Sequence, residues 1–279
     1  MSARVALLLF AAWGLCPARA GAQEAEREYV FAVVPQAPPV VISERWTPIV
    51  ERVAALAGVP IRLKLYERIE ALQADLAAGA LDLAYVNPIQ TVQAHRAAGY
   101  RPLLRNATPV HGVMIVPRDS PITSVATLAG REVAFVGPWT VCGIILRHEL
   151  AGVGTVPRYV GTSANVTKHV ALGLTASGGM LDVALEDAPP ELREKVRVIY
   201  RTPPMAPHAI VAHPRVPRAV ADRVARALAD LAKTAEGAGA LRRVKLGSPI
   251  VADYARDYAP IEHMIEAPAG AGPPASPPR

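Results

Sequence analysis

Between residues 29 and 99, short apolar runs alternate with amphipathic stretches, and each amphipathic stretch closes on a glycine: Gly58, Gly79 and Gly99. Residues 29–34 (YVFAVV), 61–66 (IRLKLY) and 81–86 (LDLAYV) have strand character. Pro48 suits a first helical turn, and residues 49–56, 69–78 and 89–98 continue as helices. A β-α-β-α-β-α order with short connections predicts a parallel sheet covered by helices. This rhythm excludes all-α and all-β folds.

The alternation restarts after an apolar strand at 112–116. Strands are expected at 132–136, 158–160, 181–185, 196–200 and 210–212. Helices are expected from Thr140, over 166–172 and over 217–233, the longest helical pattern. Extended crossings near 112–116 and 208–212 would join the two units. The predicted fold is α/β and two-lobed, each lobe a mostly parallel sheet flanked by helices. Lobe 1 comprises 28–112 and 208–265, lobe 2 comprises 113–207, and a hinge lies between them. The 51% apolar content is enough to bury such cores.

The ends carry other signals. Residues 1–20 have Arg4, an apolar run from Val5 to Leu15 and a small-x-small site at Ala18-Arg19-Ala20. That pattern predicts a cleaved signal peptide and a soluble, periplasmic product. A lipoprotein would use Cys16, but Leu15 before it is bulky where a small residue is wanted. Residues 267–279 (APAGAGPPASPPR) predict a disordered, Pro-rich tail. Losing Arg4 and Arg19 lowers the formal charge from +6 to +4. The basic residues are scattered, which argues against nucleic acid and modestly favours anionic ligands. Cleavage also leaves Cys142 as the only thiol.

Candidate chemistry lies where strands hand over to helices, because ligands of open α/β sheets bind at strand carboxyl ends. In Gly137-Pro138-Trp139-Thr140-Val141-Cys142-Gly143 a helix N-terminus offers N–H groups to an anion, and Gly143 permits close backbone approach. Thr140 supplies a hydroxyl and Cys142 a thiol whose pKa such a position would lower. An ordinary turn with Cys142 as a small buried residue is the plainer alternative. Thr162 and Ser163 occupy a second such turn, Asn87 with Pro88 a third, and Gln36 a fourth. Capping alone explains the hydroxyls and Asn87. His208 and His213 flank a strand and are read as structural or surface residues. GxSxG, HExxH, Walker and GxGxxG motifs are absent, and the histidines lack zinc-ligand spacing.

Four segments in order carry a resemblance: LDLAYVNP (81–88), VATLAGREVAFVGPWTVCG (125–143), YVGTSANVTKHVALG (159–173) and VRVIYRTPP (196–204). Over about residues 28–235 the chain resembles the periplasmic substrate-binding proteins of phosphate, phosphite and phosphonate ABC transporters. The resemblance implies the type II two-lobed binding-protein fold and no enzymatic activity. Three pocket features depart from the family pattern. Its Ser/Thr/Ser turn reads Thr140-Val141-Cys142, its His-Asp pair reads Ser163-Ala164, and a frequent aromatic reads Thr91. The chain is also similar to a branch of sensors that bind arsenic oxyanions through one cysteine and signal to a membrane histidine kinase.

The expectation is therefore an exported, monomeric protein that needs no cofactor or metal and captures a small oxyanion between its lobes. Thr140, Asn87, Thr162, Ser163 and Gln36 would hold the oxyanion, with backbone N–H groups from Trp139 to Gly143. Cys142 would make a direct contact and could ligate arsenic. The partner is a sensor kinase for arsenite sensing or a membrane permease for uptake. An ordinary phosphate or phosphonate importer component is the alternative, and a cysteine enzyme with Cys142 as nucleophile is a third reading.

Overall fold

A computed structural model describes residues 27–138 and 140–266. The expected signal at 1–20, the tail at 267–279 and Trp139 lie outside the described residues.

The chain runs β1 (Tyr29–Val33), α1 (Pro39–Ala57), β2 (Ile61–Lys64), α2 (Ile69–Ala77), β3 (Leu83–Val86), α3 (Pro88–Ala98), β4 (Arg101–Asn106) and β5 (Gly112–Pro117). It continues through β6 (Glu132–Phe135), α4 (Val141–Glu149), β7 (Val156–Tyr159), α5 (Ser163–Ala171) and β8 (Ser177–Leu181). Two short helices follow, α6 (Asp182–Glu186) and α7 (Pro190–Arg193), before β9 (Val196–Arg201) and β10 (Ala209–Ala212). The last elements are α8 (Arg218–Leu231), α9 (Ala235–Arg243), β11 (Pro249–Val251) and α10 (Ala259–Glu266).

Two sheets result, ordered β11-β4-β10-β3-β1-β2 and β7-β6-β8-β5-β9. The parallel parts that the rhythm predicts are β2-β1-β3 and β7-β6-β8. Both sheets are nonetheless mixed, because β10 and β5 each enter antiparallel to their neighbours. Residues 112–117 and 209–212 are thus sheet strands, and the crossings precede them, at residues 107–111 and 202–208. The crossings bind each other: Val110 N–H donates to Met205 O at 3.0 Å, and Met205 N–H donates back to Val110 O at 2.9 Å.

Four sequence expectations need correction. The first helix starts at Pro39, with Pro48 inside it. Packing of Ile42, Trp46, Ile49, Val50 and Val53 on the sheet outweighs the roughly 3 kcal/mol cost of an internal proline. That also makes α1, not the helix after Pro217, the longest one described. β4 is a further strand that periodicity does not signal, its RPLLRN sequence mixing apolar residues with charges and a proline. Residues 182–185 are helix, and the strand expected there is the preceding SGGML. Gly178 and Gly179 resemble a turn, but a Cβ there would lie 2.6 Å from Val166 Cγ1 and 2.4 Å from Phe135 Cε1. Only glycine lets the strand lie this close to its neighbours.

One large apolar core fills the first lobe. The second lobe's sheet has a core on each face. Along β5, Met114 and Val116 join one while Val113 and Ile115 join the other, as the two-residue period of a strand requires. α4 belongs to both lobes. Its Cys142 and Leu146 pack with the second lobe, while Val141 and Ile145 pack into the first. No helix among the described residues is long and apolar enough to cross a membrane.

Candidate functional site

A cleft of about 1040 Å³ separates the sheets. Its walls are the turns that leave the strands at their carboxyl ends. Pro35-Gln36 follows β1, Asn87 follows β3, Gly137, Pro138 and Thr140 follow β6 and Gly161–Ser163 follows β7. Parallel pairing aligns those ends within each lobe, and the double crossing turns the two sets toward one space.

The structure brings Gln36, Asn87, Thr140, Cys142, Thr162 and Ser163 to that cleft. Gln36 and Thr162 are exposed there, while Thr140 and Ser163 are half-buried. Much of their polar chemistry serves the backbone. Thr140 Oγ1 accepts from Gly143 N–H at 3.1 Å and donates to Gly137 O at 2.9 Å. Thr162 Oγ1 accepts from Asn165 N–H at 3.1 Å. Asn87 and Gln90 form a reciprocal capping box at 2.9 and 3.1 Å. Each donor so satisfied would otherwise be an orphan of a helix's first turn.

Gly143 is buried and does not face the cleft. Its N–H is held by Thr140, and a Cβ there would stand 1.9 Å from Gly137 O. The close approach expected of it is to its own turn, not to a ligand.

Cys142 lines the cleft but is only 5% exposed and packs among Met114, Val133, Phe135 and Leu146. Burial pushes its thiol well up from the ordinary value, and the nearby Asp182 charge adds to this. The expected lowering by the helix N-terminus is therefore overturned: desolvation of a thiolate outweighs the helix dipole. A protonated, packed thiol also lacks the thiolate that a cysteine nucleophile needs.

Several cleft residues escaped the sequence reading. His208, read there as structural or surface, stands on the cleft wall. Its ring stacks on Tyr85 with centroids 5.3 Å apart, and Tyr85 lies 4.8 Å from Trp46. Burial lowers the His208 pKa to about 4, so the imidazole is neutral at ordinary pH. Its one sequence signal was its place beside the return crossing. Tyr85 OH donates to Val244 O at 3.0 Å and so ties β3 to the loop after α9. Arg45, Arg68, Arg242 and Arg243 stand exposed along the first-lobe side, with no ion pair to any of them among the described residues. Lys245 Nζ, from the first lobe, reaches Asp187 Oδ2 of the second at 2.5 Å. Lys245 has φ +62°, a left-handed backbone that side chains rarely take.

Among solved structures, XAC2383 from Xanthomonas citri, determined with chloride and with ATP, is 19% identical. It aligns with a TM-score of 0.74 over 86% of this chain and 97% of that one. PhnD1 from Prochlorococcus marinus in complex with methylphosphonate is 14% identical, with a TM-score of 0.71 over 85% and 96% of the two chains. A binding-protein component of an ABC phosphonate transporter from Pseudomonas aeruginosa is 13% identical, with a TM-score of 0.69 over 85% of each chain. These likenesses show the type II binding-protein fold. A comparison with curated proteins finds no match. The family model for the periplasmic substrate-binding protein of phosphonate ABC transporters, a family of binding components and not enzymes, matches residues 31–258. With that span covering most of the described fold and both walls of the cleft, the chain belongs to the phosphonate periplasmic substrate-binding family.

Proposed function

We propose that this protein is exported to the periplasm, captures a phosphonate-type oxyanion between its lobes and delivers it to an ABC permease. The observation that carries this reading is the convergence of four strand-end turns, from both sheets, on one cleft. Ligand held by turns of both lobes favours their closure by bending at the paired crossings. The exposed arginines on the first-lobe side raise the local concentration of anions. PhnD1, which shares the fold, is a methylphosphonate complex. The exported form acts as a monomer in this reading, with residues 1–20 removed.

Sensing of arsenite through Cys142 is the competing role, with a histidine kinase as partner. It needs the thiol to leave its apolar neighbours, Met114, Phe135 and Leu146, and to give up its proton to form a sulfur–arsenic bond. Uptake of a phosphorus oxyanion needs neither, and it is the reading favoured here.

Thermal unfolding with phosphate, phosphite, methylphosphonate, arsenate and arsenite tests the two roles, on the wild type and on Cys142→Ser. A ligand at about 100 times its Kd adds about 2.7 kcal/mol. For a chain of this size that is a rise of about 5–10 °C in Tm. The expected result is a rise with a phosphorus oxyanion that persists in Cys142→Ser. A rise confined to arsenite and lost in Cys142→Ser replaces uptake by sensing. Failure of every phosphorus anion to shift Tm refutes the proposal.

A further inference from the structure

The cleft is large for a bare tetrahedral anion. Its volume of about 1040 Å³ lies just above the roughly 300–1,000 Å³ that encloses drug-sized ligands. The exposed Lys245–Asp187 pair bridges the two sides of the cleft at 2.5 Å. The space is more than a bare oxyanion fills, which leaves room for a further group on the ligand.

The wall of the first lobe indicates what that part is. Phe31, Trp46, Tyr85 and His208 form a row with successive ring centroids 5.5, 4.8 and 5.3 Å apart. The first three are buried, and His208, half-buried, ends the row on the cleft wall. The Tyr85 hydroxyl is spent on Val244 O, so the row presents ring surface and not a phenol. Fixed rings of this kind stack a planar group at little entropic cost.

Charge narrows the class further. The acids that line the cleft, Glu67, Glu70, Glu186 and Asp187, are all exposed, and Asp187 is already paired with Lys245. A cationic amine carried into the cleft would meet no buried carboxylate, and desolvating it unpaired is costly. The imidazole of His208 is itself neutral, so it offers an uncharged ring one donor and one acceptor.

We propose that the ligand is a phosphonate or phosphate ester bearing a planar, uncharged ring, and that this ring lies against His208 at the end of the Trp46–Tyr85–His208 row. The inference rests on the capture of a phosphorus oxyanion proposed above.

Titration calorimetry of the exported protein with methylphosphonate, 2-aminoethylphosphonate, phenylphosphonate and adenosine 5′-monophosphate tests it. At least one ring compound is expected to bind about tenfold tighter than methylphosphonate, and the aminoethyl compound no tighter than methylphosphonate. Whichever ring compound binds better tells a phosphonate from a phosphate ester. In His208→Ala the ratio of ring compound to methylphosphonate should fall to within about threefold, while His208→Phe, which keeps a stacking surface, should retain it. Methylphosphonate binding as tightly as both ring compounds overturns the inference and leaves oxyanion capture standing. A ring preference that survives in His208→Ala overturns it equally. If none of the four binds, the capture reading falls, and this one with it.

Discussion

Replacing Gly143 by alanine isolates the close approach on which the turn at the head of α4 depends. Two effects of opposite sign compete. Glycine inside a helix is about 1 kcal/mol worse than alanine, so propensity alone makes Gly143→Ala stabilising. The structure predicts the reverse. The new Cβ would sit 1.9 Å from Gly137 O, 3.1 Å from Gly137 C and 2.9 Å from Thr140 Oγ1. The nearest obstacle is backbone, which has no rotamer with which to escape. Relief needs the 137–140 turn to move, at an overpacking cost of roughly 1–3 kcal/mol. It also breaks the Thr140–Gly143 cap, for about 1 kcal/mol more. The net is a loss of about 1–3 kcal/mol, a fall in Tm of a few to about ten degrees. Gly239, within α9, is the matched control. A Cβ there meets only the far ends of Arg242 and Arg243, at 3.8 Å, so Gly239→Ala should gain about 0.5–1 kcal/mol. Urea unfolding of the two variants beside wild type reads both signs. Because Gly137, Pro138 and Thr140 line the cleft, Gly143→Ala should also weaken ligand binding. A Gly143→Ala protein as stable as wild type, with affinity intact, would refute the reasoning.

Asp257 is buried against Arg105 at 3.0 Å and Arg256 at 2.7 Å. Burial alone would raise its carboxyl, but hydrogen bonds from Arg256, Arg105 and the Asp253 N–H outweigh it and hold the pKa well below the usual 3.8. Its contribution is complete above about pH 3.8 and is lost as the pH falls toward the folded value. Asp257→Asn should cost about 3 kcal/mol at pH 7, and its deficit in urea midpoint should narrow by pH 2–3. Lys245 holds a left-handed backbone while its pair with Asp187 is exposed on both sides. Lys245→Gly should therefore unfold at higher urea than Lys245→Ala, by about 1 kcal/mol, the inverse of the helix order. Both should release ligand faster than wild type, read by stopped-flow chase. Cys142 should react with a thiol reagent at pH 8 only at the rate of unfolding, because its thiol is buried and kept protonated. Fast labelling of the native protein would show an exposed thiolate instead.

The sequence alone determined the alternation of strands and helices, because that depends on local chemistry. Gly58, Gly79 and Gly99 follow α1, α2 and α3, and Gly58 and Gly99 take the left-handed C-cap that a side chain disfavours. The turns at 35–36, 87, 137–140 and 161–163 were legible for the same reason, since strand ends and caps are written in adjacent residues. What adjacent residues could not carry was decided by distant ones. SGGML is a strand because Val166 and Phe135 leave no room for a Cβ. Pro48 sits inside a helix because the buried face of α1 is worth more than the hydrogen bond it forfeits. The Cys142 thiol is pushed up, not down, because desolvation depends on what surrounds it in space. His208 joins the cleft only when the return crossing stacks it on Tyr85, from a segment more than a hundred residues earlier. Caps and turns are short-range interactions. Packing, desolvation and the pairing of Lys245 with Asp187 depend on groups that meet only once the chain has folded.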